Sequence, residues 1–537
     1  MIEIETIFEM FGGLAILLYG IHLSGVSLQK ILGFKLEEIL TKTNDNPIRG
    51  LTIGTGITSV IQSSTTTITM LFGFISAGLL SFNSAIPVML GANIGSTITT
   101  QIASLHIGIY ALPVLTVGVV IHIFSIKKIR KNIGEALIGF SFLFLGMNYI
   151  FMSAHSLSLD SGAVNFINHF SSSPIVYIFI LAILTLLLQS SSATSVVVVA
   201  FGVAGIINLP IALFMILGVN LGSSLKIIYI GIRGKGLLSD LAITHILFNM
   251  IGVFIFIIFF KYFNYFASLT SSDIGRQIAN SHTLYNIATA LIVIPLVPFV
   301  VKFINKYAPK SKRKESKLFY LSRKLLYTPS VALRQANRGV VEMADEVSEM
   351  LEISRTIFFE NKVEQLAEIE KYESNMDIMT GKISEYMSQI SQQRLSKRDL
   401  MKLYSLMHSV TDLEHLSDHI LTVSELFVDL KEEKIEFSPK ADRELTAIFG
   451  KLKIMQNLVR KALEEDNLHL AHEIIKHENK VDEIVKKAHS NHLERMNEGI
   501  CSLKKGKYFA EILMNLERIG DHADNIAYAV VDRFRYK

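Results

Sequence analysis

The sequence has little cysteine, no tryptophan and, over its first 310 residues, little charge. One cysteine, Cys501, stands among 537 residues, which excludes a disulfide framework and any cysteine-based zinc finger. Residues 1–310 hold 16 Lys and Arg and 10 Asp and Glu, whereas residues 311–537 hold 36 and 38. Because 50% of all residues are hydrophobic, this division excludes one soluble globular domain. It predicts an integral membrane region followed by a soluble, charged region.

Several functional classes are also excluded by what the sequence lacks. The net charge of +4 divides into about +6 for the first region and about −2 for the second, so no basic surface for nucleic acid is expected. The chain has no P-loop, HExxH or GxSxG motif, so we do not expect an enzyme. The acidic start, MIEIETIFEM, lacks the basic n-region of a cleavable signal, so the first apolar stretch is expected to stay in the mature protein.

Seven apolar stretches have the length of a membrane span, and two others are longer and interrupted. The seven lie near 8–28, 84–105, 107–126, 133–154, 210–231, 240–260 and 282–304. The other two, about 51–80 and 174–207, are each broken at the centre by a polar run. Half of such a stretch, roughly 15 residues, reaches only ~22 Å. We expect both to form re-entrant helical hairpins, whose polar backbone must be enclosed by protein or line a cavity.

Lysine and arginine in the short loops indicate the orientation in the membrane. With seven crossings, two hairpins and the N-terminus outside, the cytoplasmic loops hold Lys30, Lys35, Lys42, Arg49, Lys127, Lys128, Arg130, Lys131, Arg233 and Lys235. The outside loops then hold only Lys261 and Arg276. This bias predicts a multi-pass protein of the cell membrane whose charged C-terminal region lies in the cytoplasm.

The two interrupted stretches are copies of each other. Gln62-Ser63-Ser64 recurs as Gln189-Ser190-Ser191, an offset of 127. The same offset pairs Thr67 with Thr194, Phe74 with Phe201, Gly78 with Gly205, Gly91 with Gly218, Asn93 with Asn220, Gly95 with Gly222 and Ser96 with Ser223, and offset 126 pairs Gly13 with Gly139 and Gly20 with Gly146. Each unit, about 8–126 and 133–260, has an odd number of crossings. The repeat is therefore expected to be inverted, with the substrate at the midplane between the units.

The QSS motifs at the expected hairpin tips predict a site for a small anion and for Na⁺. Ser63 or Ser64, and Ser190 or Ser191, would cap the second arm of each hairpin, whose free N–H groups attract an anion. Neutral oxygens that could ligate Na⁺ come from Gln62, Thr65, Thr66, Thr67, Gln189, Ser192 and Thr194. The hairpins contain no Asp, Glu or His, which favours sodium coupling over a proton relay. The alternative is that these hydroxyls bond back to helix carbonyls or join helices together.

A second matched motif, GxNxGS, follows each interrupted stretch. Its asparagines, Asn93 and Asn220, each offer a donor and an acceptor and are candidate site residues. Packing of helices through small residues is the alternative role of the motif. Lys226 is expected to snorkel to the membrane surface rather than to contact phosphate. Buried, hydrogen-bonded positions are expected for His122, His245 and His282.

The doubled QSS motif with its downstream GxNxG resembles that of the bacterial sodium/phosphate cotransporters, which are related to the animal type II cotransporters. The resemblance covers about residues 8–305 and implies sodium-driven uptake of inorganic phosphate, with Gln62–Thr67 and Gln189–Thr194 at the substrate and ion sites. The family's usual run is QSSS. The second copy keeps it, whereas the first has Thr65 in the last place, which retains the hydroxyl but could shift ion selectivity.

Beyond a basic linker at 306–328, the sequence predicts six helices in two copies of a three-helix unit. They are expected at about 331–361, 363–394, 397–430, 440–465, 467–502 and 507–535. The run from Asp412 to His419 matches that from Asn515 to His522 at offset 103, and Glu373 and Asp377 match Glu478 and Asp482 at offset 105. Carboxylates spaced i, i+4 share a helix face, and a metal ion with oxygen ligands would relieve their repulsion. A solvated acidic face balanced by Lys and Arg is the alternative.

The sequence from Glu517 to Asn525, ERIGDHADN, resembles the signature of PhoU, a regulator of phosphate uptake. PhoU is a doubled three-helix bundle whose ExxxD motifs can bind clustered metal ions, so the resemblance implies a regulatory tail. The ligands of divalent or iron-type ions that it implies are Glu373, Asp377, Glu414, Asp418, Glu478, Asp482, Glu517 and Asp521. The first of the two three-helix copies departs from the signature, because it has Glu414-His-Leu-Ser-Asp418.

The expected fold is therefore all-α, with a polytopic membrane domain (1–305) of inverted repeats and two re-entrant hairpins. A cytoplasmic doubled three-helix bundle (329–537) follows. The expected function is sodium-coupled phosphate transport by alternating access, with phosphate, the bilayer and either a second copy or a regulatory protein as partners. The sequence leaves open a sensor that binds phosphate without transporting it, and another oxyanion, such as arsenate, as substrate.

Overall fold

The computed structural model describes residues 4–41, 43, 46–76, 79–105, 107–234, 237–300, 302, 321, 325–393 and 395–534. Within these ranges all regular secondary structure is helical. The chain divides into two compact units, Met1–Lys314 and Glu315–Lys537. Most of the predicted linker, together with Lys42, Gly78 and Lys235, lies outside the described residues.

Fourteen α-helices of the first unit are described over their whole length, and residues 297–300 are helical as well. The fourteen helices are α1 Ile4–Thr41, α2 Pro47–Ile61, α3 Ser64–Ser76, α4 Phe82–Gly95, α5 Ile98–Ala103, α6 Ala111–Phe124, α7 Lys128–Ser158, α8 Ser161–Ile167, α9 Ile175–Leu188, α10 Ser191–Val203, α11 Leu209–Gly234, α12 Leu237–Ile258, α13 Phe260–Leu269 and α14 Ile274–Val293. Six stretches are long and apolar enough to cross a membrane: Ile4–Gly33, Ile107–Phe124, Lys128–Ser158, Leu209–Ile228, Asp240–Ile258 and Ile274–Val300. The chain is thus a multi-pass membrane protein, as predicted.

The predicted span at 84–105 is not a continuous helix. α4 ends at Gly95, and α5 begins three residues later at Ile98. The hydroxyls of Ser96 and Thr97 each donate to a carbonyl three residues back, at 2.7 and 2.8 Å. Such local bonds compete with the helical pattern and tighten its last turn. The matching helix of the second repeat, α11, continues through the equivalent position.

Both interrupted stretches break at their QSS motif. α2 ends one residue before Gln62 and α9 one residue before Gln189. These glutamines have φ values of 61° and 52°, in the left-handed region that ends a helix. The next helices begin two residues after each glutamine, at Ser64 and Ser191. The helix breaks are where the sequence predicts them, and the re-entrant path of each pair remains a prediction.

Glycines at equivalent positions let helices of each repeat approach closely. A Cβ atom on Gly91 of α4 would lie 2.1 Å from the carbonyl oxygen of Leu51 on α2. A Cβ atom on Gly218 of α11 would lie 2.4 Å from the carbonyl oxygen of Ile178 on α9. Leu51 and Ile178 are themselves 127 residues apart, so the two repeats pack in the same way. The packing role considered for the motif's glycines is therefore correct for this pair.

The first helices of the two repeats, α1 and α7, pack against each other through the second glycine set. A Cβ atom on Gly20 would lie 2.7 Å from the carbonyl oxygen of Gly139, and one on Gly146 would lie 2.6 Å from that of Gly13. The contacts are exchanged, because Gly13 and Gly20 correspond to Gly139 and Gly146. As the residue number increases along α1, the number of the contacted residue on α7 decreases, so the two helices are antiparallel. A two-fold axis produces this exchange of equivalent contacts.

The second unit contains six long helices in its described part. They are α15 Pro329–Phe359, α16 Leu366–Ser391, α17 Lys397–Glu432, α18 Pro439–Glu465, α19 Leu468–Asn497 and α20 Leu503–Asp532. The six predicted helices are confirmed, with the largest difference at the end of α19. That helix ends early because Gly499 has a φ of 73° and the N–H of Ile500 donates to the carbonyl of Arg495 at 3.0 Å. This is the Schellman pattern of helix termination.

Candidate functional site

The first helix break is a closed cluster of side-chain hydrogen bonds. The side chain of Gln62 is only 4% exposed, and its Oε1 accepts a hydrogen bond from the Thr99 hydroxyl at 2.6 Å. Ser63 caps α3, since its Oγ accepts from the backbone N–H of Thr66 at 3.2 Å. The hydroxyls of Thr58 and Thr67 are 2.8 Å apart and join the two arms. The break therefore concentrates neutral oxygens around the end of one helix and the start of the next.

The second break has the same backbone but different partners. Ser190 caps α10 by accepting from the N–H of Ala193 at 3.2 Å. The Gln189 side chain is exposed, whereas its main-chain carbonyl accepts a hydrogen bond from the ammonium group of Lys226. The hydroxyl of Thr185, which corresponds to Thr58, is buried and has no hydrogen-bond partner among the described residues. The ammonium group of Lys226 thus contacts the helix break, and the expected snorkelling of Lys226 to the membrane surface stays a prediction.

The other predicted residues of the QSS motifs line the first turns of α3 and α10. Buried positions are occupied by Ser64, Thr65, Thr67, Ser192 and Thr194, and half-buried ones by Ser63, Thr66, Ser190 and Ser191. Thr67 and Thr194 donate to carbonyls four residues back, at 3.2 and 2.9 Å, as the alternative interpretation of these hydroxyls expects. Hydrogen bonds of the first break stay within residues 58–99. Convergence of both breaks on one site remains a prediction.

The two matched asparagines have different environments. Asn93 Oδ1 lies 2.9 Å from Nε2 of His245 on α12. Asn220 donates instead to the carbonyl of Ile216, within its own helix, at 3.0 Å. The contact of Asn93 thus joins two helices, while that of Asn220 is local. His245 and His282 are buried and hydrogen-bonded, as predicted.

The prediction for His122 is wrong with respect to burial. Its side chain is 38% exposed, and its Nδ1 lies 3.3 Å from the carbonyl oxygen of Lys131. The hydrogen bond exists, but His122 occupies the last turn of α6, next to the polar start of α7. Position near a helix end, rather than residue type, decides its exposure.

A polar face on α14 was not predicted as part of the site. Gln101 of α5 donates to the hydroxyl of Thr283 at 2.9 Å, and Thr100 lies 3.2 Å from Nδ1 of His282. Because Thr99 of the same short helix bonds Gln62, α5 connects the first break to α14. Polar residues inside this otherwise apolar stretch could have predicted the polar face of α14 from the sequence. They are Gln277, Asn280, Ser281, His282, Thr283, Asn286 and Thr289.

Two groups of side chains in the second unit could hold a metal ion. The group on α19 and α20 comprises Glu478, Asp482 and Asp521, and the group on α17 comprises Glu414, His415 and Asp418. Within each group, the candidate ligand atoms lie within 4.8 Å of one another. Oxygen-rich groups of this kind suit hard cations. His415 is an additional candidate that spacing did not predict.

The electrostatics of the α19–α20 group favour a bound cation. Burial, with the charge of Asp482, raises the pKa of Glu478 to about 7. Burial, with the charges of Asp521 and Asp482, raises the pKa of Asp524 to about 6. The Oδ1 atom of Asp524 is buried without a hydrogen-bond partner in the described part of the chain. Crowded carboxylates of this kind fit a metal ion. Asp524 is a neighbouring candidate outside the group whose ligand atoms lie within 4.8 Å of one another.

The other predicted ligands divide between the two groups. Burial, followed by the charges of three neighbouring carboxylates, raises the pKa of Glu373, whose neighbours are Asp377, Asp418 and Glu414. These four residues therefore act on one another across α16 and α17. Part of the second group is balanced by cations, as the alternative interpretation expects. Lys486 lies 3.0 Å from Asp482, Arg518 lies 3.4 Å from Asp521, and the charge of Glu517 acts on Lys486.

The two halves of the second unit exchange equivalent hydrogen bonds. Nδ1 of His522 lies 2.9 Å from Asp412, and Nδ1 of His419 lies 2.8 Å from Asn515. Offset 103 relates Asp412 to Asn515 and His419 to His522. His522 therefore contacts Asp412 in the same way that its equivalent, His419, contacts Asn515. The same exchange relates α1 and α7. It again indicates a two-fold relation between the copies.

The raised pKa of Glu478 predicts a pH dependence of the bundle in metal-free protein. Its protonated form adds stability that is complete below the usual pKa of 4.5 and is lost as pH rises through about 7. We expect hydrogen-exchange protection of α19 in the full chain, with chelator present, to fall between pH 5 and 8. Glu478→Gln should flatten this fall, whereas Glu483→Gln, on the exposed side of α19, should leave it unchanged. Equal slopes in both variants would contradict the assignment.

Comparison with known proteins gives a match for each unit. The Na⁺/Pi-cotransporter family model matches residues 16–152 and 155–279. The PhoU domain model matches residues 340–427 and 445–530. In the second unit the two matched segments correspond to the two three-helix copies. In the first unit the segment 16–152 spans the first repeat and the start of the second, so its boundary differs from that of the internal repeat.

Three curated proteins illustrate the range of similarity. The "Putative inorganic phosphate export protein YjbB" of Escherichia coli strain K12 is 19% identical over 533 residues, which cover 98% of each chain. The "Sodium-dependent phosphate transport protein 2A" of Rattus norvegicus is 37% identical over 79 residues, 14% of this chain and 12% of that one. The "Phosphate-specific transport system accessory protein PhoU homolog 1" of Thermotoga maritima is 33% identical over 135 residues, 25% of this chain and 57% of that one.

Proposed function

The membrane region belongs to the Na⁺/Pi-cotransporter family and the C-terminal region carries the PhoU domain, and from this premise we propose sodium-coupled transport of inorganic phosphate by alternating access. The direction of net transport follows the combined gradient of Na⁺ and phosphate. Related proteins are named both for phosphate export and for sodium-dependent phosphate transport. A coupled carrier serves either direction, because it moves both solutes down their combined gradient.

The observation that carries this proposal is the matched pair of helix breaks. Each has a left-handed glutamine followed by a serine that caps the next helix. The start of that helix presents free N–H groups to an anion, and the end of the preceding helix presents carbonyl oxygens to a cation. Phosphate and Na⁺ thereby meet opposite ends of half-helices, an arrangement typical of secondary transporters. Neutral oxygens of Gln62, Thr65, Thr66 and Thr67 would contribute to Na⁺ binding.

The antiparallel contact of α1 with α7 supports an inverted repeat. Helices that begin the two repeats and run in opposite directions give the repeats opposite orientations in the membrane. If the two repeats exchange conformations around the breaks, the site would open alternately to each side of the membrane. The loop charges support an external N-terminus and a cytoplasmic C-terminal bundle.

The bundle would act as a metal-dependent regulatory domain. Oxygens of Glu478, Asp482, Asp521 and Asp524 would hold one cation or cluster, and Glu373, Asp377, Glu414 and Asp418 the other. A bound cation would relieve carboxylate repulsion and stiffen the helix pairs that carry it. A second copy of the chain or a regulatory protein would contact the stiffened surface.

Radiolabelled phosphate uptake into proteoliposomes tests the transport function. Flux should rise at least tenfold when external K⁺ is replaced by Na⁺, and arsenate should compete with phosphate if the site recognises mainly charge and size. Phosphate binding in detergent without Na⁺-stimulated flux would instead support a membrane sensor. Flux that is indifferent to Na⁺ would refute sodium coupling.

A further inference from the structure

Each helix break is contacted by a residue from the same position of its own repeat, but the two residues differ in chemistry. Thr99 and Lys226 are related by the offset of 127 that relates Gln62 to Gln189. Thr99 donates its hydroxyl to the Gln62 side chain, and Lys226 donates its ammonium group to the Gln189 main-chain carbonyl. Thus each residue contacts the glutamine of its own repeat. The first break receives a neutral hydroxyl, and the second receives an ammonium group.

The location of the Lys226 ammonium group is one that a coupling cation would occupy. Gln189 follows the last turn of α9, where carbonyl oxygens lack intrahelical partners and carry partial negative charge. Ends of half-helices with such carbonyls coordinate Na⁺ in secondary transporters. An ammonium group is a compact cation with three donors, so it can satisfy the same oxygens.

From this equivalence we propose that Lys226 is a tethered cation that replaces one coupling Na⁺ at the second break. The inference rests on the proposed sodium-coupled transport. The first break, with Gln62 and Thr99, keeps a site for a mobile Na⁺. The second break keeps its positive charge through every turn of the cycle, so the protein couples phosphate to one Na⁺ fewer than a carrier with hydroxyls at both positions.

Charge balance and the surrounding residues agree with this role. The α9–α10 stretch contains no acidic residue, so the Lys226 ammonium group brings a positive charge to a break that has no carboxylate of its own. The buried, unpartnered hydroxyl of Thr185 is one turn before Gln189 and is the counterpart of Thr58. An oxygen left without a protein partner beside the break is available to the transported ion.

The test is the number of Na⁺ ions coupled to each phosphate, measured in proteoliposomes at zero membrane potential. That number follows from the Na⁺ gradient that just stops net flux against a fixed phosphate gradient. In Lys226→Thr, which copies the first repeat, it should rise by one. In the reciprocal Thr99→Lys it should fall by one, and in Lys226→Arg, which keeps the charge, it should equal that of the wild type.

An unchanged number in Lys226→Thr would overturn the proposal. So would a loss of apparent phosphate affinity of tenfold or more with unchanged coupling, because Lys226 would then bind phosphate directly. If Lys226→Thr carries no flux, the Na⁺-dependent rise in Tm of the purified full chain gives a second readout. That rise should be larger in Lys226→Thr than in Lys226→Arg, and an equal rise refutes the tethered cation. Wild-type flux that ignores Na⁺ would refute the proposed transport mechanism itself.

Discussion

Replacing Gln62 with alanine is expected to reduce Na⁺-driven phosphate flux about 30- to 100-fold. The substitution removes the buried acceptor of the Thr99 hydroxyl, and a buried donor without a partner costs about 1–3 kcal/mol. Glutamine and alanine both carry a Cβ atom, so the φ of 61° strains them about equally and the lost hydrogen bond accounts for the effect. The measurement is initial uptake into proteoliposomes at matched protein density.

Two further variants separate the side-chain effect from the backbone effect. Gln62→Asn keeps an amide and tolerates the left-handed conformation, so it should retain more flux than Gln62→Ala. Gln189→Ala should lose less than Gln62→Ala, because the Gln189 side chain is exposed and Lys226 contacts its main-chain oxygen. Wild-type flux in Gln62→Ala would remove this residue from the site.

The paired substitution Glu478→Gln with Asp482→Asn is expected to weaken metal binding at the α19–α20 group by about 100-fold or more. It removes two negative ligands and leaves Asp521 and Asp524, too few anionic oxygens to offset dehydration of a divalent ion. Isothermal titration of the full chain with Mn²⁺ or Ca²⁺ measures the change.

The matched control for this substitution is the other half of the bundle. Glu373→Gln with Asp377→Asn should remove metal binding by the carboxylates of α16 and α17, which are Glu373, Asp377, Glu414 and Asp418. Metal binding at the α19–α20 group should stay intact. Binding unchanged in both paired variants would show that these carboxylates form a solvated face balanced by Lys486 and Arg518. Calorimetry at two pH values adds a check, since binding to protonated Glu478 must release a proton.

Local chemistry allowed the helix breaks to be predicted from sequence. A glutamine that ends one helix and a serine that caps the next act within four residues, so Gln62-Ser63 and Gln189-Ser190 indicate the breaks directly. The acidic groups of the bundle were predictable for a similar reason, because i, i+4 spacing on a helix fixes which side chains share a face. The offset between copies then identified which residues of the two copies are equivalent.

Features that depend on packing between distant helices could not be read in this way. The fourth helix ends before Ser96, yet the matching helix continues through Ser223, although both hydroxyls donate to the carbonyl three residues back. Asp524 became a candidate ligand only because two helices bury it. The alignment of Lys226 with Thr99 at offset 127 was visible in the sequence, but the contacts of both residues with the glutamines of the breaks were not.

The most direct test of sodium-coupled transport starts with equal phosphate concentrations on both sides of the proteoliposome membrane. An inward Na⁺ gradient should then drive phosphate to accumulate inside, and an outward gradient should deplete it. Collapse of the gradient with a Na⁺ ionophore should abolish both effects. Failure of phosphate to move against its own gradient in either direction would contradict the account.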